Sequence, residues 1–253
     1  MDRAGESGYG WLSEVFVSYQ GEGSQVGEKH VFVRFAGCNL RCAYCDTPGS
    51  LERLDGCRVD YPGGESCSLT NPLSAAQLDD VLRRICDEDS GVRMIAITGG
   101  EPMVQHSFLA RWLNELPPPR ACLLETNATI ATDLERIVPR LELVSADVKL
   151  PSNSGEPALW ERHRAFLAAC AATRVYVKVP VDAGTDPAEV EYAAALIATV
   201  SPEATLYLQP ITHPQTGSWQ IAWEGVEALL GQAASRVADT RCVPQVHKLM
   251  GVR

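Results

Sequence analysis

The sequence predicts an α/β protein built on a largely parallel sheet. Three observations carry that reading. Short β-branched or aromatic runs alternate with helical patterns along most of the chain, the signature of βαβ units. About six such units can be counted, fewer than the eight of a closed TIM barrel, so an incomplete barrel or an open doubly wound sheet satisfies the pattern. Cys38, Gly99, Glu125, Asp147 and Gln209 all fall at strand ends, where both architectures gather their chemistry.

Taken in order, residues 31–35 (VFVRF) read as a strand. Residues 74–87 read as a helix, with Ser74 and Gln77 in a capping-box pattern and Leu78, Val81, Leu82 and Ile85 at helical spacing. Residues 94–98 form a second strand ending in a Gly-Gly pair, and a helix over 104–116 stops at three prolines. Strands follow at 121–125, 141–148, 174–179 and 205–209, with a last short one within 237–243. Helices follow at 133–138, 157–172, 187–200 and 219–234. Residues 48–72, carrying Cys57 and Cys67, read as an inserted loop.

Composition narrows the function. With 45% hydrophobic and 21% charged residues in 253, the chain is an ordinary globular one. No apolar run approaches the roughly 20 residues of a membrane span, and residues 1–7 lack a signal-peptide core, so a cytoplasmic location is expected. A net charge of −10 argues against a duplex nucleic-acid binder. Nine cysteines in a reducing compartment point to a metal or redox site where their spacing is tight.

That spacing is Cys38-x3-Cys42-x2-Cys45, in a Gly-flanked loop after a strand. Three thiolates can hold three irons of a [4Fe–4S] cube and leave the fourth iron open to a small bidentate ligand. The amino and carboxylate groups of S-adenosylmethionine (SAM) fit that position, and Tyr44 could pack on its adenine. A zinc site would need a fourth ligand such as His30, Cys57 or Cys67, and the spacing is tighter than a zinc ribbon. Cys86, Cys122, Cys170 and Cys242 read as small core residues, and His106, His163 and His213 as surface or packing residues.

The triplet, followed by Thr98-Gly99-Gly100-Glu101-Pro102, resembles the radical SAM superfamily with its GGEP motif. The flanks narrow this. Residues 19–23 (YQGEG), 33–40 (VRFAGCNL), 45–47 (CDT) and 247–253 (HKLMGVR) together resemble the 7-carboxy-7-deazaguanine synthase family. The resemblance implies one radical SAM domain over 1–253, folded as an incomplete TIM-like barrel, with the 48–72 insert and a substrate-binding tail at about 244–253. It implies a lyase that converts 6-carboxy-5,6,7,8-tetrahydropterin to 7-carboxy-7-deazaguanine with loss of ammonia, in queuosine and deazapurine biosynthesis. SAM there is a regenerated cofactor, the source of a 5′-deoxyadenosyl radical.

Site roles follow from the same resemblance. Cys38, Cys42 and Cys45 hold the cluster; Thr47 joins them as a catalytic residue and binds Mg²⁺. Tyr44, Gly99, Gly100, Glu101 and Gln209 contact SAM. Ser145, Asp147 and Lys149 occupy the next SAM-binding strand end but depart from the family's Ser-Pro-Lys, and Ala128 replaces the usual Gly of Glu-Thr-Asn-Gly. Tyr19, Gln20, Gly21, Glu22, Arg34, Thr98, His247 and Arg253, the last through its carboxylate, bind the pterin. A flavodoxin or ferredoxin as electron donor and a homodimer are further implications. The alternatives are an activase of glycyl-radical enzymes and a non-enzymatic iron–sulfur or zinc protein.

Overall fold

A computed structural model describes residues 8–213 and 215–253. The reading of residues 1–7 lies outside them. The chain opens with β1 (Tyr9–Gly10) and β2 (Leu12–Tyr19), then β3 (Lys29–Phe35), β4 (Gly56–Asp60), β5 (Ser66–Thr70) and β6 (Leu73–Ser74). From there strands and helices alternate: α1 (Ala75–Glu88), β7 (Met94–Gly99), α2 (His106–Glu115), β8 (Ala121–Thr126), α3 (Leu134–Ile137) and β9 (Leu143–Asp147). The chain continues through α4 (Pro151–Ser154), α5 (Trp160–Ala169), β10 (Arg174–Val181), α6 (Pro187–Val200), β11 (Thr205–Pro210), α7 (Trp223–Ala234), β12 (Thr240–Cys242) and α8 (Val246–Met250).

The local chemistry explains the strongest elements. At the start of α1 the Ser74 hydroxyl accepts from the Gln77 amide, and the Gln77 side chain accepts from the Ser74 amide at 2.9 Å. These two bonds satisfy otherwise orphaned donors, as the capping-box pattern requires. Asp186 caps α6 with a single bond, its carboxylate accepting from the Ala188 amide, and Pro187 stands in the first turn, where its missing N–H costs nothing.

The main sheet runs β12-β11-β10-β9-β8-β7-β3-β2-β4-β5. From β3 to β12 every pairing is parallel; β2 is antiparallel to β3. β12 and β5 stay apart as edges, so the barrel is incomplete, as the sequence predicts. Helices cover the outside, which makes the central strands nearly continuous apolar runs; Met94 through Thr98 are all buried. The inner face carries a smaller apolar layer in which Phe16 and Phe32 stack at 5.2 Å and Tyr176 meets Tyr207 edge-on.

Several elements differ from the sequence reading. Residues 48–72, read as a loop, contain the β4–β5 hairpin, which extends the sheet by pairing β4 with β2. Its strands are short, and β5 (SCSLT) is mostly small and polar, so no strand signal rises above a loop. β2 and α4 have no counterpart in the reading. The helix at 157–172 is shorter and starts at Trp160, and that at 219–234 starts at Trp223. The helix read from 104 begins as a 3₁₀ turn at Pro102 and becomes α-helical at His106. All nine cysteines are free thiols; Cys86, Cys122 and Cys170 are core residues as read, whereas Cys242 is only half-buried on its edge strand. Among the described residues no helix is long and apolar enough to cross a membrane.

Candidate active site

The site is assembled at the C-terminal ends of the parallel strands, where backbones leave the sheet and must be fixed by other contacts. The loop after β3 carries the three cysteines. Gly37 and Cys38 donate backbone hydrogen bonds to Ser50 and Leu51, and Ala43 donates to Ser154 at the end of α4. Asn39 is tied to the loop after β8, donating to the Thr129 hydroxyl and accepting from the Asn127 amide group, both at 2.9 Å.

The Gly-Gly pair after β7 lies against this loop. A Cβ on Gly100 would sit 2.4 Å from the Gly37 carbonyl and 2.6 Å from that of Ser50, so only glycine lets the two backbones meet. Glu101 follows and is buried. Its carboxylate accepts from the Met103 and Asn127 amides and the Thr126 hydroxyl at 2.6–2.9 Å. Burial pushes the carboxyl up to about 7 against those donors. Glu101 thus braces the turn against the end of β8.

These walls enclose a cavity of about 230 Å³. Of the sequence-predicted residues, Tyr19, Gln20, Gly21, Glu22, Arg34, Cys42, Tyr44, Cys45 and Thr47 line it. So do Thr98, Gly99, Gly100, Glu101, Asp147, Lys149, Gln209, His247 and Arg253. Cys38 and Ser145 do not. Cys38 lies just behind, its sulfur accepting from the Leu40 amide at 3.4 Å, and Ser145 is fully buried beneath the strand ends. Thr47 precedes a 3₁₀ turn (Pro48–Ser50) but does not cap it with its hydroxyl, which leaves that oxygen to the cavity wall.

A charged network crosses the cavity floor. Lys178 of β10 is 5% exposed and pairs with Glu22 and, at 3.5 Å, with Asp147. Lys149 donates to the other Asp147 oxygen at 2.9 Å and stands 5.4 Å from the Tyr44 ring centre. Gln209 and Gln245 both donate to Glu22 at 3.0 Å; Gln245 and Lys248 reach on to Asp46. Burial raises the Glu22 and Asp147 carboxyls, but the ammonium groups outweigh it and hold both below their ordinary range. Burial lowers Lys178 and Lys149, and here the carboxylates win, so both stay charged.

The Gln20-Gly21-Glu22 segment closes the other side. Gln20 donates to Glu125 at 2.7 Å, and Gly21 touches the C-terminal segment so closely that a Cβ would lie 2.1 Å from His247 Nδ1. Arg34 is half-buried, donating from Nε to Glu14 at 2.8 Å. The Ser18 hydroxyl donates to the Arg253 main-chain oxygen at 2.6 Å.

Lys178, Asp46, Gln245 and Lys248 were absent from the predicted set, and Glu125, which reads as a strand-end residue, carries no role in it. Lys178 carried a readable signal, a charge inside the apolar run Val177-Lys178-Val179. The others enter only through tertiary contact. His163 is fully buried: its Nδ1 faces the Ala128 carbonyl at 3.2 Å and its Nε2 accepts from the Lys149 amide, which fixes a neutral tautomer. Burial takes its pKa down to about 4.

Ala128 has φ of 54°, a left-handed conformation that costs an L-residue roughly 1–2 kcal/mol. Ala128→Gly is expected to raise Tm by only about 1 °C, the strain relieved narrowly exceeding the extra freedom of the unfolded chain and the loss of a buried methyl. A thermal melt with an unchanged or lower Tm would contradict this.

Among the described residues, no three His, Cys, Asp or Glu side chains are grouped tightly enough to hold a single metal ion. The donor set fits a larger group: three free thiols on one loop, two of them on the cavity wall, none joined in a disulfide.

A profile of the Radical SAM superfamily matches residues 32–231. The chain is 36% identical to the 7-carboxy-7-deazaguanine synthase of Geobacter sulfurreducens, over 95% of this chain and 96% of that protein. It is 36% identical to that of Methanopyrus kandleri, over 94% and 92%. In structure it is similar to QueE from Escherichia coli, with a TM-score of 0.62 at 21% identity, covering 94% of each chain. It also resembles Streptococcus suis SuiB bound to S-adenosylmethionine, with a TM-score of 0.52 at 12% identity, covering 83% of this chain and 48% of SuiB. Cysteine loop, GGEP turn and near-complete coverage of these relatives agree: the chain belongs to the 7-carboxy-7-deazaguanine synthase family of the radical SAM superfamily.

Proposed function

We propose that this chain converts 6-carboxy-5,6,7,8-tetrahydropterin to 7-carboxy-7-deazaguanine, releasing ammonia; its relatives' name gives the product. One observation carries the reading: the cysteine loop and the Gln20-Gly21-Glu22 segment open onto the same cavity of about 230 Å³. Membership of the superfamily implies a [4Fe–4S] cluster and SAM. Cys38, Cys42 and Cys45 would hold the cluster, and when bound the pair supplies a 5′-deoxyadenosyl radical, which is the cofactor's chemistry.

The protein's part is to bind, orient and exclude water. Gly99, Gly100, Tyr44, Gln209 and the Asp147–Lys149 strand end form the SAM side, with Ser145 buried beneath it. Lys149, kept charged by Asp147, suits a carboxylate. Gln20, Gly21, Glu22, Tyr19, Thr98 and His247 form the pterin side, with amide and carboxylate groups matched to a ring rich in donors and acceptors. Glu22 is held ionised by Lys178, so it accepts hydrogen bonds from ring N–H groups. Arg34 gives a guanidinium for the substrate carboxylate, Arg253 brings its terminal carboxylate to the pocket, and Thr47 offers a hydroxyl to Mg²⁺ beside it. The chain works as one radical SAM domain in the cytoplasm, with residues 244–253 as its substrate-binding tail. A homodimer reduced by flavodoxin or ferredoxin completes the proposal.

The test is anaerobic reconstitution with iron and sulfide, then incubation with SAM, dithionite, Mg²⁺ and carboxytetrahydropterin. The expected result is deazaguanine product with SAM not consumed in proportion. A fully loaded protein that makes no product would overturn the reading.

A further inference from the structure

We propose that the β4–β5 hairpin is a positioning element for the substrate cavity, because its Asp60 joins Glu14 of β2 in clamping the Arg253 side chain over the Phe16 ring. The proposal rests on the carboxypterin reading of that cavity. Sheet geometry puts the parts together. Glu14, Phe16 and Ser18 alternate along β2 and so share one face. Each touches Arg253: Glu14 accepts from Nη1 at 3.0 Å, the Phe16 ring centre lies 4.3 Å from the guanidinium carbon, and Ser18 donates to the main-chain oxygen.

The hairpin supplies the remaining contact. β4 pairs in parallel with β2, Glu14 opposite Arg58 and Val15 opposite Val59. That register brings Asp60, one residue further on, to the second guanidinium nitrogen, Nη2. Asp60 is 17% exposed, and its other oxygen is already held by Arg58 at 2.8 Å and Ser66 at 2.6 Å. It is therefore fixed before Arg253 arrives. Burial alone would raise its carboxyl, but Ser66, Arg58 and Arg253 hold it at about 2, so the clamp is charged at every working pH.

The clamp matters for the cavity because Glu14 is shared. It grips Arg34 from one oxygen and Arg253 from the other, so the position of one guanidinium constrains the other. Both arginines line the cavity. Asp60 takes the second nitrogen of Arg253 and leaves Glu14 free to hold Arg34 in a single geometry. A hairpin that adds no residue of its own to the cavity wall thereby sets the pose of its cationic rim.

Arg253 is 48% exposed, so the effect is modest, as for other solvent-screened pairs. Asp60→Asn is expected to raise KM for carboxytetrahydropterin about fivefold with kcat unchanged, and Asp60→Glu to restore it. Arg253→Gln should raise KM to a similar extent, and the double variant by about fivefold rather than about 25-fold, because the two side chains act as one unit. A second readout needs no cluster. The Val252 amide donates to the His247 carbonyl at 3.0 Å, and Asp60→Asn should speed its hydrogen exchange about threefold in the apoprotein. Unchanged KM and exchange in Asp60→Asn, or multiplying effects in the double variant, overturn the clamp. A loaded wild type without activity overturns the carboxypterin reading instead, and the exchange experiment then decides the clamp alone.

Discussion

Cys42→Ala is expected to reduce product formation to background and remove the visible absorbance of the reconstituted cluster in the same protein. Cys42 sits in a one-turn loop with its backbone carbonyl accepting from the Cys45 amide at 3.1 Å, so the two side chains leave a shared turn and both reach the cavity wall. A cube held by three thiolates has no spare protein ligand. Cys57 and Cys67 cannot replace it: they belong to the β4–β5 hairpin, outside the cavity lining. The fold itself should survive, since the thiol is only half-buried and alanine leaves no large void. Iron content, absorbance and turnover therefore fall together while the circular dichroism spectrum is unchanged. Retained turnover with two cysteines would sink the assignment of the cluster to this loop.

Lys178→Met is expected to cost about 3–5 kcal/mol of stability, the range seen when one partner of a buried ion pair is removed. Methionine keeps the length and loses the charge, which leaves Glu22 buried without its ammonium partner. The pH dependence gives the sharper signature. In the wild type Glu22 and Asp147 lie below 4.5 and 3.8, so their contribution is present above those values and lost as pH falls through the folded-state pKa. Lys149 and Lys178 lie above 10.5, so theirs is full below that value and lost as pH rises through the folded-state pKa. Between about 5 and 10 the network is silent. Without Lys178, burial dominates and raises the Glu22 carboxyl; a raised carboxyl loses stability as pH rises. Urea unfolding should show stability falling further from pH 5 to pH 8 in the variant than in the wild type, where Glu101 and His163 already titrate near that window. A variant profile that parallels the wild type, with a loss under about 1 kcal/mol, would show that water already screens the pair.

The sequence made some of this site legible and hid the rest for physical reasons. Cys38, Cys42, Cys45 and the Gly99-Gly100 pair are local signals, because a metal loop and a close backbone approach need particular residue types at fixed spacing. The α1 cap was readable for the same reason: Ser74 and Gln77 satisfy each other within one turn. The alternation of strands and helices gave the parallel sheet, since each buried strand is apolar on both faces. β4 and β5 escaped because their pairing partners, not their residues, make them strands. Gln245 and Asp46 escaped because nothing near either residue announces a bond spanning about 200 positions. Lys178 was legible and overlooked: a lysine between two valines in a central strand is costly unless something buried pairs with it.

The contact of Gly21 with His247 has a consequence for how the molecule assembles. Gly21 with His247, Ser18 with Arg253 and Glu22 with Gln245 each join positions more than 220 residues apart. Closing so long a loop is entropically expensive, and its contacts reward the chain only after the intervening sheet is built. The Gln20-Gly21-Glu22 side of the cavity therefore closes over longer loops than the cysteine side, whose ties run to Asn127, Thr129 and Ser154.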